Sequence, residues 1–419
     1  MGRGSPRSSK PRNRTAALSD VGLIFRIQAI RAALYGFGSI LLGASLAQSG
    51  LDAAAVGLVF TAMLLGMALS SLLVGRWADR FGRRRTYAFL LAVMALAGAV
   101  FAVTDALPLL ILVALTGCLS TDPNESGPIT TLEQAMLAGT PAAERARVYG
   151  RYNALAYLAG AVGALLAGGP SGLRNLLPAL PPDQRWLLVI PIGAAACVLL
   201  ASRLSSGAEV APSHAPVELP HNGLGRSRGI VLRLASLFAL DAFAGGFVVQ
   251  TFIVFWFTRQ FGVTSDVMGL VFFGVGLLQA GSSIAAGWVA ARIGLLNTMV
   301  FTHLPSNVFL AAIPLAPVLP LAVLLLLARS ALSQMDVPTR QAYIAALVDP
   351  AERTAASAYT NASRYVARPA GPALASVAMT SGVALPFVIA GGLKIVYDLL
   401  LLRIFSRVEL PESEPATRS

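Results

Sequence analysis

The sequence predicts an all-α membrane protein with twelve transmembrane helices, arranged as two six-helix bundles that repeat one another. Three observations predict this fold: an apolar composition, a regular alternation of apolar spans with arginine-bearing connections, and short motifs shared by the two halves. Of the 419 residues, 56% are hydrophobic and 12% are charged, whereas an ordinary soluble domain carries about 25% charged residues. This composition excludes a soluble enzyme and indicates a chain that crosses a bilayer repeatedly.

Twelve stretches of the chain are apolar enough to cross a membrane. A transmembrane helix needs about 20 mostly apolar residues. The predicted spans are residues 21–47, 53–74, 86–105, 107–138, 148–170, 186–203, 231–258, 265–291, 296–317, 319–347, 354–380 and 383–405.

The arginine residues predict how the spans are oriented. Groups of arginine follow the second, fourth and sixth spans, whereas the alternate connections carry only Arg174, Arg185 and Arg259. Cytoplasmic loops are enriched in Lys and Arg, so both termini are predicted to be cytoplasmic, as an even number of spans requires. We therefore expect a multi-pass protein of the cell inner (plasma) membrane. The net charge of +12 does not predict nucleic-acid binding, because the basic residues lie between spans.

The domain organisation follows from the spans and from one long polar connection. That connection, residues 204–230, is rich in Pro, Gly, Ser and His and has no helical period, which is typical of a flexible linker. Its two histidines do not predict a metal site. The expected units are a basic disordered tail at 1–20, a bundle at 21–203, the linker, a second bundle at 231–408 and a tail at 409–419.

Short motifs recur in order in the two halves. GLVF occurs at 57–60 and at 269–272, and PAAERARVYGRYN at 141–153 resembles DPAERTAASAYTN at 349–361. The two offsets are nearly equal, so one six-span half corresponds to the other. Two such halves related by parallel repetition are the plan of one large class of transporters.

The stretch GRWADRFGRRR, residues 75–85, lies between the second and third spans and resembles the signature loop of the major facilitator superfamily. The resemblance rests on Gly75, Asp79, Arg80, Gly82, Arg83 and Arg84. It implies that this loop is a gating latch between the halves that stabilises the outward-facing state. Asp79 is the residue expected to carry that role, while the two glycines permit a tight turn and close helix approach. The equivalent of Asp79 in the second half is Ala291, so the latch is one-sided.

The chain departs from the antiporters of this superfamily in two places. Its fourth span contains no arginine, and LAGAVGALLAGG at 158–169 in the fifth span contains no proline. Antiporters of the family commonly carry an arginine and a Gly-Pro signature at these places. The departures weaken an assignment as an antiporter.

Ionisable residues inside the predicted spans are functional-site hypotheses, because a charge in the bilayer is costly. The resemblance implies that the first, fourth, seventh and tenth helices line a central cavity. The predicted substrate and proton pathway comprises Arg31, Tyr35, Asp122, Glu125, Asp241, Gln250, Arg329, Arg364 and Arg368. The alternative is that opposite charges pair structurally and never touch a substrate. We expect that outcome for Asp336 with Arg340 and for Lys394 with Asp398, and we also expect His303 to be structural.

The polar stretch CLSTDPNESGP at 118–128 predicts an interruption within the fourth span rather than a loop at its end. The tenth span, which occupies the same place in the second half, also reaches an aspartate close to a proline, Asp336 and Pro338. Polar, Pro-interrupted segments at corresponding places in two repeats indicate a binding site.

These observations predict a secondary transporter that moves a small solute by alternating access, and not an enzyme. The intramembrane arginines favour a small organic anion or a polar metabolite, since guanidinium groups bind carboxylates and phosphates. Buried carboxylates at Asp241, Asp122 and Glu125 are candidates for binding a coupling proton. The alternative is efflux of hydrophobic compounds by proton antiport. We expect a monomer in the lipid bilayer with a small-molecule substrate and no cofactor, metal or nucleic-acid partner. A membrane enzyme or a sensor built on a transporter fold is the rival class.

Overall fold

The computed structural model describes residues 14–120, 127–137, 142–205, 208, 225, 227–348 and 352–408. All the regular secondary structure in these ranges is helical. Residues 1–13 of the predicted N-terminal tail, the predicted C-terminal tail, most of the linker, and Asp122 and Glu125 lie outside the described residues. Residues 14–20, predicted to belong to the disordered tail, are instead the first turns of helix α1.

Eight α-helices are described in the first half. They are α1 (Arg14–Gln48), α2 (Ala53–Phe81), α3 (Arg83–Val103), α4 (Leu107–Ala114), α5 (Pro128–Leu137), α6 (Ala142–Leu166), α7 (Gly169–Leu176) and α8 (Val189–Ala201). A 3₁₀ turn at Asp183–Leu188 precedes α8.

Nine α-helices are described in the second half. They are α9 (Arg228–Phe247), α10 (Gln250–Phe261), α11 (Ser265–Ile293), α12 (Leu295–Ala312), α13 (Leu319–Ser333), α14 (Asp336–Leu347), α15 (Arg353–Ala367), α16 (Ala370–Ser381) and α17 (Leu385–Phe405). Three spans are therefore built from two helices each: α9 with α10, α13 with α14, and α15 with α16.

Ten stretches of the described residues are long and apolar enough to cross a membrane on their own. The two predicted spans that are not among them are the fourth and the eleventh, and each of these is interrupted. In the fourth span, helix α4 ends at Ala114 and α5 begins at Pro128. In the eleventh, the polar helix α15 ends at Ala367 and α16 begins at Ala370. With these two interrupted spans included, the prediction of twelve transmembrane helices in two six-helix bundles is confirmed.

The interruption of the fourth span has a counterpart in the tenth. Helix α13 ends at Ser333 and α14 begins at Asp336, so the second half also breaks this span. Helices α5 and α14 begin 208 residues apart, which is the offset of one sequence repeat. Both α4 and α5 pack against α2 and α3. This placement agrees with an interruption inside one span, and α4 ends earlier than the sequence predicts.

A glycine with positive φ separates two long helices at the same place in each half. Gly82 (φ 91°) lies between α2 and α3, and Gly294 (φ 85°) lies between α11 and α12. Only glycine adopts this conformation without steric cost, which explains the predicted tight turn. At Gly75, by contrast, an added Cβ would meet nothing within 4 Å. The close helix approach predicted at Gly75 is absent from this conformation, because no neighbouring helix reaches that face.

The first and fifth spans of each half pack backbone against backbone. A Cβ at Gly36 of α1 would collide with the carbonyl oxygen of Gly160 in α6. In the second half, a Cβ at Gly246 of α9 would collide with the carbonyl oxygen of Arg368 and would also crowd Gly371. Small residues allow this close approach, which supplies the van der Waals contact that holds helices together in lipid.

The two halves meet at the end of the bundle opposite the Gly82 and Gly294 turns. We call the end with those turns the basic end and the opposite end the closed end. At the closed end, α1 packs on α10, α2 on α16, and α6 on α11. Ser265 Oγ at the start of α11 donates to Asp183 Oδ2 at 2.6 Å, and Ser171 Oγ donates to Asp266 Oδ1 at 3.2 Å. Towards the basic end, α5 and α14 pack within their own halves.

Candidate functional site

A cavity of about 430 Å³ lies between the halves, near the middle of the spans. The second half supplies most of its wall, whereas the first half contributes Leu64, Met67 and Tyr157. The cavity-lining residues Gln341 and Asn361, which lie towards the basic end, are exposed. The cavity therefore opens towards the basic end while the opposite end is closed.

The wall from the second half is strongly charged. The ionisable residues that line the cavity are Asp241, His303, Arg329, Asp336, Arg340, Arg364, Arg368 and Lys394. Five of these side chains are permanently basic and two are acidic. Basic side chains therefore predominate in the cavity.

Asp241 of α9 is the centre of this charged group. Arg364 Nη1 lies 3.1 Å from its Oδ2, and Arg340 Nη1 lies 3.7 Å from the same oxygen. Lys394 donates a hydrogen bond to Oδ1. Asp241 is buried, with 4% of its surface exposed. A buried carboxylate is stable only when such partners replace its hydration, so this one side chain connects the first span of the second half to basic residues on three other spans.

Asp336 and Arg340 form the predicted pair, at 2.8 Å between Oδ2 and Nη1. The predicted pair of Lys394 with Asp398 does not form. Lys394 reaches across to Asp241, whereas Asp398 accepts from Asn307 Nδ2 at 2.9 Å and lies 2.9 Å from His303 Nδ1. The four-residue spacing was misleading because partners on neighbouring helices come closer than the next turn of α17.

The first half has its own buried ion pair, away from the cavity. Arg31 Nη2 lies 2.6 Å from Glu133 Oε2, and the two side chains are 2% and 0% exposed. Tyr87 donates to Glu133 Oε1 at 2.6 Å, and Tyr152 donates to Oε2. Arg31 also donates to Gln28 and to Tyr152. The two charges of this cluster balance each other, and both oxygens of Glu133 accept hydrogen bonds, although Arg31 Nε has no hydrogen-bond partner among the described residues. Such charge balance is typical of a structural pair.

The two ion-paired groups are related by the repeat with their charges reversed. AIRA at 29–32 corresponds to ALDA at 239–242, and EQA at 133–135 corresponds to RQA at 340–342. Arg31 with Glu133 in the first half thus matches Asp241 with Arg340 in the second half. Each pair ties the first span of its half to the fourth. The second half differs because it adds further cations and opens to the cavity.

The structure brings five of the predicted pathway residues to the cavity. They are Asp241, Gln250, Arg329, Arg364 and Arg368. Gln250 Nε2 also donates to Ser39 Oγ at 2.8 Å, which links the two halves. Arg31 lies in the ion pair of the first half, and Tyr35 donates to the carbonyl oxygen of Cys118 at 2.7 Å. Neither is among the residues that line the cavity.

The signature loop makes its described contacts within the first half. Arg83 Nη1 donates to the carbonyl oxygen of Ala135 at 3.0 Å, and Arg84 donates to that of Ser202 at 3.4 Å. Arg80 is exposed, and the side chain of Asp79 lies outside the described part of the chain.

Sequence reasoning missed Glu133 and undervalued His303. Glu133 is an acid within a predicted span, and an ionisable residue at such a place is a signal of a functional or paired site. The acids Asp122 and Glu125 of the preceding polar stretch were predicted in its place. His303 lines the cavity, with Nε2 4.0 Å from Asp241 Oδ1. This position could not be predicted from the sequence, because Asp241 and Asp398 lie on other helices.

Two pseudo-repeated bundles with a central cavity between them are the plan of a large class of membrane transporters. The chain belongs to the Major Facilitator Superfamily, since the sequence model of that family matches residues 27–258 and 234–419. It is 27% identical to an uncharacterized membrane protein of Saccharomyces cerevisiae, over 94% of this chain and 95% of the yeast protein.

Solved structures of known transporters share the fold. A bacterial homologue of the human lysosomal transporter Spinster, in an inward-facing and unoccupied conformation, aligns with a TM-score of 0.72 and 15% identity over 97% of this chain and all of that one (100%). The human organic anion transporter MFSD10 aligns with a TM-score of 0.60 and 21% identity over 92% of this chain and 99% of that one. At these identities the likeness is one of fold.

Proposed function

We propose that this protein transports a small organic anion by alternating access, with proton coupling. The observation that carries the proposal is the charge of the cavity, where five basic side chains converge and two acids balance them only in part. Excess positive charge held between buried helices is costly, and an anionic ligand offsets that cost. The substrate then supplies the missing negative charge.

The type of basic residue indicates which anion fits. Four of the five are arginines, whose planar guanidinium groups hold carboxylates or phosphates through paired hydrogen bonds. The opposite wall, with Leu64 and Met67, is apolar and can contact the carbon skeleton of such a compound. The likeness to a human organic anion transporter is compatible with this substrate class.

The alternating-access cycle follows from the asymmetry of the two ends. The positive-inside rule assigns the basic end to the cytoplasm. On that assignment the structure is the inward-facing state, because the halves meet at the closed end and the cavity opens at the other. Rocking of one half against the other around the cavity then exposes it to the opposite side.

Efflux of hydrophobic compounds by proton antiport is the alternative. A cavity for hydrophobic cations requires apolar and aromatic walls with an acid to attract the cation. Here Asp241 and Asp336, the acids of the cavity, are already paired with arginine or lysine. The charged wall therefore favours the anion over a hydrophobic cation.

Counterflow in proteoliposomes tests the proposal. Vesicles loaded with unlabelled succinate, citrate, inorganic phosphate or a phosphate ester are diluted into the labelled compound, and a hydrophobic cation is run in parallel. We expect saturable exchange of at least one anion. In Arg368→Gln we expect a loss of affinity on the order of tenfold or more, since one charge-assisted contact is removed.

Arg292→Gln is the matched control for this variant. Arg292 is exposed at the end of α11, where its guanidinium stacks on Trp288 at 3.5 Å from the ring centroid. The control should leave exchange unchanged. Exchange of the hydrophobic cation alone, or an anion affinity that is the same in Arg368→Gln, would contradict the proposed substrate class.

A further inference from the structure

The ring of His303 lies between two carboxylates on different helices. His303 belongs to α12 and is buried, with 6% of its surface exposed. Its Nδ1 lies 2.9 Å from Asp398 Oδ1 of α17, and its Nε2 lies 4.0 Å from Asp241 Oδ1 of α9. One ring therefore connects a carboxylate behind the cavity wall to the carboxylate at the centre of the charged group.

The partners of Nδ1 determine where the ring carries its proton. When Asp398 is ionised its carboxylate only accepts, so the contact then requires a hydrogen on Nδ1. Asn307 Nδ2 lies 3.1 Å from Nδ1 and 2.9 Å from Asp398 Oδ2, and its hydrogen goes to the carboxylate as the stronger acceptor. In the neutral ring the lone pair is then on Nε2, which faces Asp241.

We propose that His303 Nε2 is the proton-binding atom of this transporter and that its protonation favours binding of the substrate anion. The coupling part of this inference rests on the proposed function. The proton comes from water and adds to the Nε2 lone pair, so the ring becomes an imidazolium with one positive charge. Histidine is the side chain that changes charge near neutral pH, which suits it to this role.

Other charged groups on the neighbouring helices set the environment of the ring. Helix α17 contributes Lys394, Tyr397 and Asp398; α14 contributes Asp336 and Arg340; α13 contributes Arg329; α9 contributes Asp241; and α15 contributes Arg364 through its contact with Asp241. Helix α11 carries its charged side chains only near its ends, at Asp266 and Arg292. The acids within 4.0 Å of a ring nitrogen are Asp241 and Asp398.

The coupling arises from competition for Asp241. When Nε2 is neutral, the carboxylate of Asp241 is shared by Lys394, Arg364 and Arg340. When Nε2 carries a proton, the imidazolium attracts the same carboxylate and weakens the ion pair between Asp241 and Arg364. Arg364 and the added positive charge then favour an anion in the cavity. By thermodynamic linkage, a bound anion favours proton uptake to the same extent. Proton and anion therefore travel in the same direction.

The three histidines of the chain make a direct test possible, because His214 and His221 lie in the linker 204–230. In a His214→Asn/His221→Asn protein with ¹⁵N-labelled histidine, in lipid nanodiscs, every imidazole signal belongs to His303. We expect the neutral ring to carry its proton on Nδ1 and to gain a second proton on Nε2 as the pH is lowered across the range in which the protein stays folded. In Asp398→Asn, the doubly protonated fraction at a fixed pH should fall several-fold, since a neighbouring negative charge is lost. Asp52→Asn, at an exposed position, is the control and should change nothing.

A ring that stays neutral across this range, a neutral ring protonated on Nε2, or an unchanged fraction in Asp398→Asn would each overturn the proton site. These readings need no substrate, so they are independent of whether the proposed function is correct. For the coupling, inorganic phosphate and succinate serve as probes, and an anion that is exchanged in counterflow should raise the doubly protonated fraction. His303→Gln should make that exchange independent of pH, whereas pH dependence equal to that of the parent would overturn the coupling.

Discussion

At the residue scale, the two halves treat buried charge differently. The second half gathers its charged side chains around the cavity, whereas the first half buries one ion pair away from it. The repeat places Arg31 where the second half has Asp241, and Glu133 where it has Arg340. Equivalent positions have therefore kept ionisable side chains of opposite sign. In the first half one cation and one anion balance each other away from the cavity.

Glu133→Gln tests this structural role. The substitution leaves Arg31 buried without its counter-charge, and breaking a buried pair in this way costs about 3–5 kcal/mol. We expect the midpoint of thermal unfolding in detergent to fall. Arg31→Gln/Glu133→Gln should recover much of the loss, because neither charge remains. Asp52→Asn keeps a good N-cap residue for α2 and is the control. A Glu133→Gln protein as stable as the parent would show that the pair of Arg31 with Glu133 does not stabilise the fold.

Asp241→Asn tests the charged group itself. The amide cannot balance Lys394 and Arg364, and it offers no negative charge to attract a protonated His303. Transport driven by a pH gradient should be lost while exchange of substrate continues, as measured by uptake and by counterflow in the same vesicles. Asp241→Asn leaves buried cations without their counter-charge and can prevent folding. The double variant Asp241→Asn/Lys394→Gln also removes one of these cations and is measured in parallel. Unchanged pH dependence in both variants would exclude Asp241 from the coupling.

At the element scale, interrupted helices and glycine contacts shape the cavity. The breaks between α4 and α5 and between α13 and α14 lie at corresponding places in the two halves. At the closed end, α2 meets α16 where Gly57 faces Ser376. A side chain at Gly57 would occupy the space that Ser376 fills, so closure of this end depends on a missing Cβ.

Gly57→Val should therefore hinder closure of this end and favour the state in which the cavity is open at the end that is closed here. The measurement is labelling of Ile253→Cys, a buried position on the cavity wall, by a membrane-impermeant maleimide. Both native cysteines are buried and give a low background. Labelling should be several-fold faster in Gly57→Val, because α2 no longer seals against α16. In Gly172→Val, where an added Cβ meets nothing within 4 Å, the rate should stay at that of the parent.

At the scale of the whole molecule, the described structure is closed at one end only. The signature loop packs within the first half, through Arg83 and Arg84, and leaves the cavity open at the basic end. A latch between the halves would have to form in the other state of the cycle. This agrees with the expectation that the loop stabilises the outward-facing state, which remains a prediction.

Asp79→Ala tests the latch. If Asp79 stabilises the outward-facing state, its removal changes the balance between states and slows turnover, while the affinity of the cavity for substrate stays within a few-fold. Initial rates and half-saturation concentrations of counterflow separate the two effects. Ala78→Ser, at the adjacent position, serves as a conservative control. A fully active Asp79→Ala protein would refute the latch.

The sequence determined the number of spans, their repetition and the family, because these depend on local hydropathy and on short motifs. It also identified Asp241, Arg329, Arg364 and Arg368, since an ionisable residue is conspicuous in an apolar span. Only the tertiary structure decided which charges pair. Arg31 forms an ion pair with Glu133, and Lys394 contacts Asp241 instead of Asp398. The physical reason is that ion pairing depends on distances across neighbouring helices, and these are fixed by how helices pack rather than by spacing along any one of them.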